Sequence, residues 1–156
     1  MFIEGDIDGV FAKQAIRHSD HRGWLTEVFR DDELEYFKPV MCYVSLTEPG
    51  INRGPHEHHE QTDYFIFTGP GDFEIHLWDN RKKSPTFGNH RKYIGGDVSP
   101  LCLVIPPGVV HGYKNISQIQ GLVVNCPDRL FAGQNRSDSI DETRHEDDPQ
   151  SIFRLE

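Results

Sequence analysis

Asn52-Arg53-Gly54-Pro55-His56-Glu57-His58-His59-Glu60-Gln61-Thr62-Asp63 gathers three histidines and three carboxylates into one short segment. Further along, Pro106-Pro107-Gly108-Val109-Val110-His111-Gly112-Tyr113-Lys114-Asn115 adds another histidine just past a Pro-Gly turn. On an extended strand residues i and i+2 face the same side, so His56 and His58 share a face and His59 points away. Three imidazoles and one carboxylate suit a divalent transition ion (Fe, Mn, Zn, Ni or Co) with a position left for substrate or water. No organic cofactor is implied. His18, His90 and His145 stand alone and read as surface groups.

Outward from these segments the chain reads as short strands broken by turn residues. Strands are predicted at 25–29, 41–47, 63–68, 73–78, 101–105 and 121–125, with Gly, Pro, Asn and Asp clusters between them. Only 31–37 reads as a short helix, acidic and stopped by Pro39. This spacing argues for a sandwich or barrel over βαβ units. Alternation in 73–78 puts Glu74, His76 and Trp78 on one face, either lining a pocket or facing outward. The polar, acidic stretch 132–149 is predicted to be an irregular segment folded back over the barrel, with disorder as the competing reading.

The length of 156 residues fits one domain, with a core at about 20–130 and a C-terminal segment at 131–156. Ten Phe and 36% hydrophobic residues are enough for one barrel core. No apolar run approaches the roughly 18 residues that a spanning helix needs, and MFIEGDIDGVF does not read as a secretory signal. The three cysteines, Cys42, Cys102 and Cys126, are expected to be buried free thiols in a reducing cytoplasm. A net charge of −9 without a basic stripe argues against nucleic acid. An anionic small substrate stays compatible with it if a few arginines converge.

The two histidine segments resemble the two cupin motifs, HxH with a following acid and PxGxxHxxxN. The resemblance implies an all-β double-stranded β-helix, a jelly-roll barrel, and by likeness to its metal-binding members a site with the ligands His56, His58, Asp63 and His111, with Gln61 a weaker alternative. A narrower resemblance covers most of the chain. Asp20-His21-Arg22-Gly23, followed by Glu27, Arg53-Gly54-Pro55-His56, the string from Trp78 to Gly88 containing Ser84-Pro85-Thr86-Phe87-Gly88, Ile105 to Tyr113, and Asp147-Asp148-Pro149 are similar to motifs of the dTDP-4-dehydrorhamnose 3,5-epimerase family. That family epimerises 4-keto nucleotide sugars without metal.

Carried over, the resemblance implies His56 as the base that removes a proton beside the ketone, paired with Asp148, or else Asp147. It implies Arg22, Glu27, Arg53 and His111 in substrate binding, the two arginines clamping the diphosphate, and a homodimer joined by sheet extension. The sequence departs from the pattern at three positions. The Gln two places after the base is His58, the Lys that steadies the enolate falls at or next to Asp63, and the Tyr that returns the proton falls near Val124. Tyr113 and Tyr64 are the candidates to replace it. A carboxylate beside a developing enolate is repulsive, so the simplest account is a metal-free site turned into a metal site. The expected function is a nucleotide-sugar epimerase or isomerase acting on a 4-keto-6-deoxy sugar. The alternatives are a metal-dependent cupin of another class, such as a dioxygenase or lyase, and a non-catalytic sugar-binding cupin.

Overall fold

In a computed structural model that describes residues 1–155, the chain folds into two facing antiparallel sheets and a separate hairpin. The strands are β1 (Ile3–Glu4), β2 (Phe11–Gln14), β3 (Arg17–Asp20), β4 (Gly23–Thr26), β5 (Tyr43–Thr47), β6 (Asn52–Glu57), β7 (Asp63–Phe67), β8 (Asp72–Asp79), β9 (Asn89–Gly96), β10 (Leu101–Ile105), β11 (Val109–Asn115), β12 (Gly121–Asn125) and β13 (Thr143–Arg144). One sheet runs β1-β9-β8-β11-β6-β13, with β1 its single parallel member. The other runs β2-β10-β7-β12-β5, and β3 pairs only with β4. This is the predicted jelly-roll barrel. No helix among the described residues is long and apolar enough to cross a membrane.

Alternation explains the layering. Phe65, Phe67, Phe73, Ile75, Leu77, Leu103 and Val123 point between the sheets and form the inner core. The intervening Tyr64, Ile66, Cys102 and Val104 face the other way and are covered by Ala15, Leu34 and Phe37. Strands β7 and β10 are therefore buried on both faces and read as unbroken apolar runs. Residues 31–37 do this covering as turns, not as the predicted helix. Leu34 and Phe37 anchor a single turn, the Phe37 N–H donating to the Leu34 carbonyl at 3.0 Å, and Pro39 blocks further propagation.

The predicted strand at 25–29 shifts to β4, which pairs with β3 and leaves Trp24 and Leu25 exposed. The C-terminal segment does fold back, through β13 on β6 and through Phe153 against Trp78 and Val110. It holds one 3-10 turn, Gln134–Arg136.

Two local devices bear on the site. Gly54 has φ +77°, and a Cβ there would sit 2.8 Å from the His111 carbonyl oxygen and 3.1 Å from His56 Nδ1. Only glycine allows this approach of β6 to β11, which pairs His56 with His111. At the far end of β8, fully buried Asp79 organises the following loop. Its carboxylate accepts Arg81 N at 3.0 Å, Arg81 Nε and Nη2 at 2.8 Å each, Ser84 Oγ at 2.5 Å and Thr86 Oγ1 at 2.6 Å. The family-like string 78–88 thus builds a barrel corner, tied to β6 by Asn80 Nδ2, which donates to Glu57 Oε1 at 2.9 Å.

Candidate active site

One mouth of the barrel opens into a cleft of about 1820 Å³ whose walls come from both sheets and from the segment after β12. From the β6 side come His56, His58 and Arg53, and from the β5–β7 side Tyr43, Ser45 and Phe65. The strand register brings the predicted quartet together. His56, His58, Asp63 and His111 each offer a donor atom, and these atoms all lie within 4.8 Å of one another. The His56 and His111 rings stand 4.4 Å apart, centroid to centroid. His59 lies in the bend after β6, at the rim of the cleft, and pairs with Thr143 Oγ1 at 3.0 Å.

Hydrogen bonds fix the tautomers of two rings. His58 Nδ1 faces the Asp141 carbonyl, and His111 Nδ1 lies 3.0 Å from the Val109 carbonyl. A carbonyl only accepts, so both Nδ1 atoms carry the proton and both Nε2 atoms present a lone pair. When the rings are neutral those lone pairs face Asp63 Oδ2, at 3.1 Å from His58 and 3.2 Å from His111, and the one on His58 also lies 3.2 Å from the amide nitrogen of Gln61. Acceptor meets acceptor. Asp63 Oδ2 and His111 Nε2 are accordingly buried with no hydrogen-bond partner among the described residues. Asp63 Oδ1, in contrast, accepts from Gln61 Nε2 and Asn125 Nδ2 at 2.8 Å each.

Three lone pairs converging in a dry pocket call for a positive charge. Burial opposes ionisation of Asp63, but His111 and His58 outweigh it and hold the carboxyl far below its ordinary value. Burial likewise opposes charge on His58, yet Asp63 lifts its pKa to about 9, so a proton can answer one confrontation. The Nε2 of His111 remains unanswered. His56 differs from both. Its side chain makes no hydrogen bond among the described residues, and burial plus the neighbouring His111 and His58 lower its pKa to about 2. It is a neutral imidazole without a protein partner, at the wall of the cleft.

Several predicted residues lie elsewhere. Asp148 is exposed and accepts from Gln150 N in its own turn, so the expected pair with His56 is not formed. The neighbouring β13 pairs Arg144 with His56 at the edge of the sheet. Arg22 sits on the β3–β4 hairpin and pairs with Asp20 at 2.5 Å, and Glu27 faces Arg30 at 3.5 Å; neither lines this chain's cleft. Arg53 does line it, braced by Thr47 Oγ1 and the Leu46 carbonyl at 2.8 Å each. His111 is only 2% exposed and lies behind the residues that line the cleft.

Tyr64 donates to the Val28 carbonyl in the outer cluster, and Tyr113 shares its hydroxyl with Ser45 at 3.2 Å. His76 faces outward with Glu74 and His90. His90 and His145 are not the free surface groups expected: His145 Nε2 lies 3.0 Å from buried Glu57, on the sheet's outer face. Cys42 is exposed, unlike Cys102, because its place just before β5 is at the open edge of the sheet.

Three residues of the site escape a sequence reading. The Asp141 carboxylate caps the backbone N–H groups of His59, Glu60 and Gln61 at 2.8–2.9 Å, which shapes the turn after His58. Asn125 holds Asp63 and also donates to the Tyr43 hydroxyl at 2.8 Å. A lone Asp, Asn or Tyr carries no spacing signal.

Comparison with known proteins agrees with this geometry. Residues 4–143 match the family described as dTDP-4-dehydrorhamnose 3,5-epimerase. The spore coat polysaccharide biosynthesis protein SpsL of Bacillus subtilis is 39% identical over 114 residues, covering 72% of this chain and 74% of that protein. The probable low-salt glycan biosynthesis epimerase Agl13 of Haloferax volcanii is 37% identical over 116 residues, covering 73% and 74%. Among solved structures, a dTDP-4-dehydrorhamnose 3,5-epimerase from Bacillus anthracis with TDP and pyrophosphate bound superposes with a TM-score of 0.73 at 27% identity, covering 84% of this chain and 78% of that one.

Proposed function

The chain belongs to the dTDP-4-dehydrorhamnose 3,5-epimerase family, and from that membership we propose that it epimerises a dTDP-linked 4-keto-6-deoxy sugar beside the ketone. The observation that carries the reading is the partnerless, neutral His56 at the cleft wall, next to the converging donor atoms of His58, Asp63 and His111.

The chain's own residues divide the work. His58, Asp63 and His111 converge on one point, with two tautomers locked by backbone carbonyls as metal-binding histidines require. Two imidazoles and a carboxylate with open positions fit a divalent transition ion. Bound there, such an ion would polarise the substrate ketone and acidify the adjacent C–H, the work the missing Lys would otherwise do. His56 lies within reach of the same point, but nothing fixes its tautomer. We assign it as the base and not as a fourth ligand. Burial keeps its ring neutral, so a lone pair is free to accept a proton, and the acidified C–H supplies the driving force. Arg53 is placed for the diphosphate, as its braced guanidinium matches phosphate oxygens.

A homodimer fits the same picture. The hairpin carrying Arg22 exposes Trp24 and Leu25, and edge strand β5 exposes Val44 and Leu46 beside the cleft. Pairing of two copies would cover these and bring Arg22 and Glu27 to a partner's site. The three thiols are free, and a reducing cytoplasm is the location we propose.

The direct test is incubation of the purified protein with dTDP-linked 4-keto-6-deoxyglucose, followed by NMR. A new epimer at the carbons flanking the ketone is expected, slowed about 10²–10⁴-fold by His56→Ala. A protein that binds dTDP and leaves the sugar unchanged is a sugar-binding cupin instead.

A further inference from the structure

Inverting a carbon beside a ketone needs two groups, one that takes the proton from one face and one that returns a proton to the other. His56 stands on β6, in one sheet. Tyr43 stands on β5, in the opposite sheet, and lines the same cleft. Alternation along β5 turns Tyr43 and Ser45 inward, while Val44 and Leu46 are exposed outside.

The hydroxyl of Tyr43 is set by Asn125. That side chain is 1% exposed and cannot flip, because its Oδ1 accepts the Tyr64 backbone N–H at 3.1 Å. Its amide must then donate, to Asp63 Oδ1 and to the Tyr43 hydroxyl, at 2.8 Å each. Tyr43 therefore receives a hydrogen bond, and its own proton has no acceptor among the described residues. The other tyrosines near the barrel interior lack this: Tyr64 spends its proton on a backbone carbonyl and Tyr113 shares a bond with Ser45.

We propose that Tyr43 is the acid of the reaction, delivering its proton to the sugar face opposite His56. The assignment rests on the epimerase reading above. In the forward step the C–H bond breaks, its proton passes to the His56 nitrogen, and the electron pair forms the enolate. In the second step the Tyr43 O–H bond breaks, a new C–H bond forms on the other face, and the enolate pair returns to carbon. The phenolate left behind keeps the Asn125 hydrogen bond, and the open cleft lets solvent return the proton to Tyr43 and remove the one on His56.

Tyr43→Phe keeps the ring and removes only the proton. In D2O with dTDP-linked 4-keto-6-deoxyglucose, the wild type is expected to exchange and invert together. The variant is expected to keep exchange beside the ketone within a few-fold, with configuration retained, while inversion falls about 10²–10⁴-fold and dTDP affinity is unchanged. Inversion at the wild-type rate, or exchange and inversion falling in parallel, overturns the assignment. A wild type that neither exchanges nor inverts removes the parent reading, and Tyr43's role with it.

Discussion

Asp63 and Asp79 are both fully buried carboxylates held below their ordinary ionisation range, and they sit in opposite kinds of surroundings. Around Asp79 both oxygens face donors: a guanidinium, a backbone N–H and two hydroxyls. Around Asp63 one oxygen faces two amides and the other faces two imidazole lone pairs. The first carboxylate is structural and complete. The second is complete only with a positive charge at its open oxygen, whether a proton on His58 or a cation between it and the rings. A buried charge whose partners all donate stabilises a fold, and one left confronting acceptors marks a place where a ligand belongs.

One substitution made at both positions separates them most sharply. Asp79→Asn swaps an accepting oxygen for an NH2 that faces donors, and is expected to cost about 2–3 kcal/mol in urea unfolding. A loss under about 0.5 kcal/mol would mean the corner is not held as described.

Asp63→Asn keeps an acceptor toward Gln61 and Asn125 and turns a donor toward His58 and His111. With chelator present and above about pH 9, where His58 is neutral, the variant is expected to be as stable as the wild type or more so, by up to about 1 kcal/mol. A clear destabilisation would show that the lone pairs do not confront each other.

Acid gives the smallest effect. Although burial favours its neutral form, Arg81, Ser84 and Thr86 lower the Asp79 pKa from 3.8 to about 2. A lowered folded-state pKa gives stability that is present above about pH 4 and lost as pH falls through 2. Unfolding midpoints measured from pH 5 to pH 2 should decline less for Asp79→Asn than for the wild type.

The same contrast shows what the sequence could reveal. Period-two patterning and turn residues place β7, β8, β10 and β12 almost to the residue, because burial on a sheet face writes itself locally. The quartet is legible for the same reason, since HxH alternation and the PPG turn before His111 are short-range signals. What stayed hidden depends on long-range pairing. Asp141 reaches back to the turn after His58, Asn125 links Asp63 to Tyr43, and β13 sets Asp148 outside the site. The string 78–88 misleads in the opposite direction. It is long and specific because Asp79 needs Arg81, Ser84 and Thr86 at fixed places, and its specificity reports a barrel corner and not chemistry.

The most direct measurement is the transition-metal content of the purified, untagged protein beside Asp63→Asn and His56→Ala, after Fe, Mn, Zn, Ni and Co have each been offered. About one ion per chain, lost in Asp63→Asn and kept in His56→Ala, is the result expected of a site in which three residues hold the cation and His56 stays free. A wild type that takes up none of these ions would contradict it and leave a proton on His58 as the only charge answering Asp63.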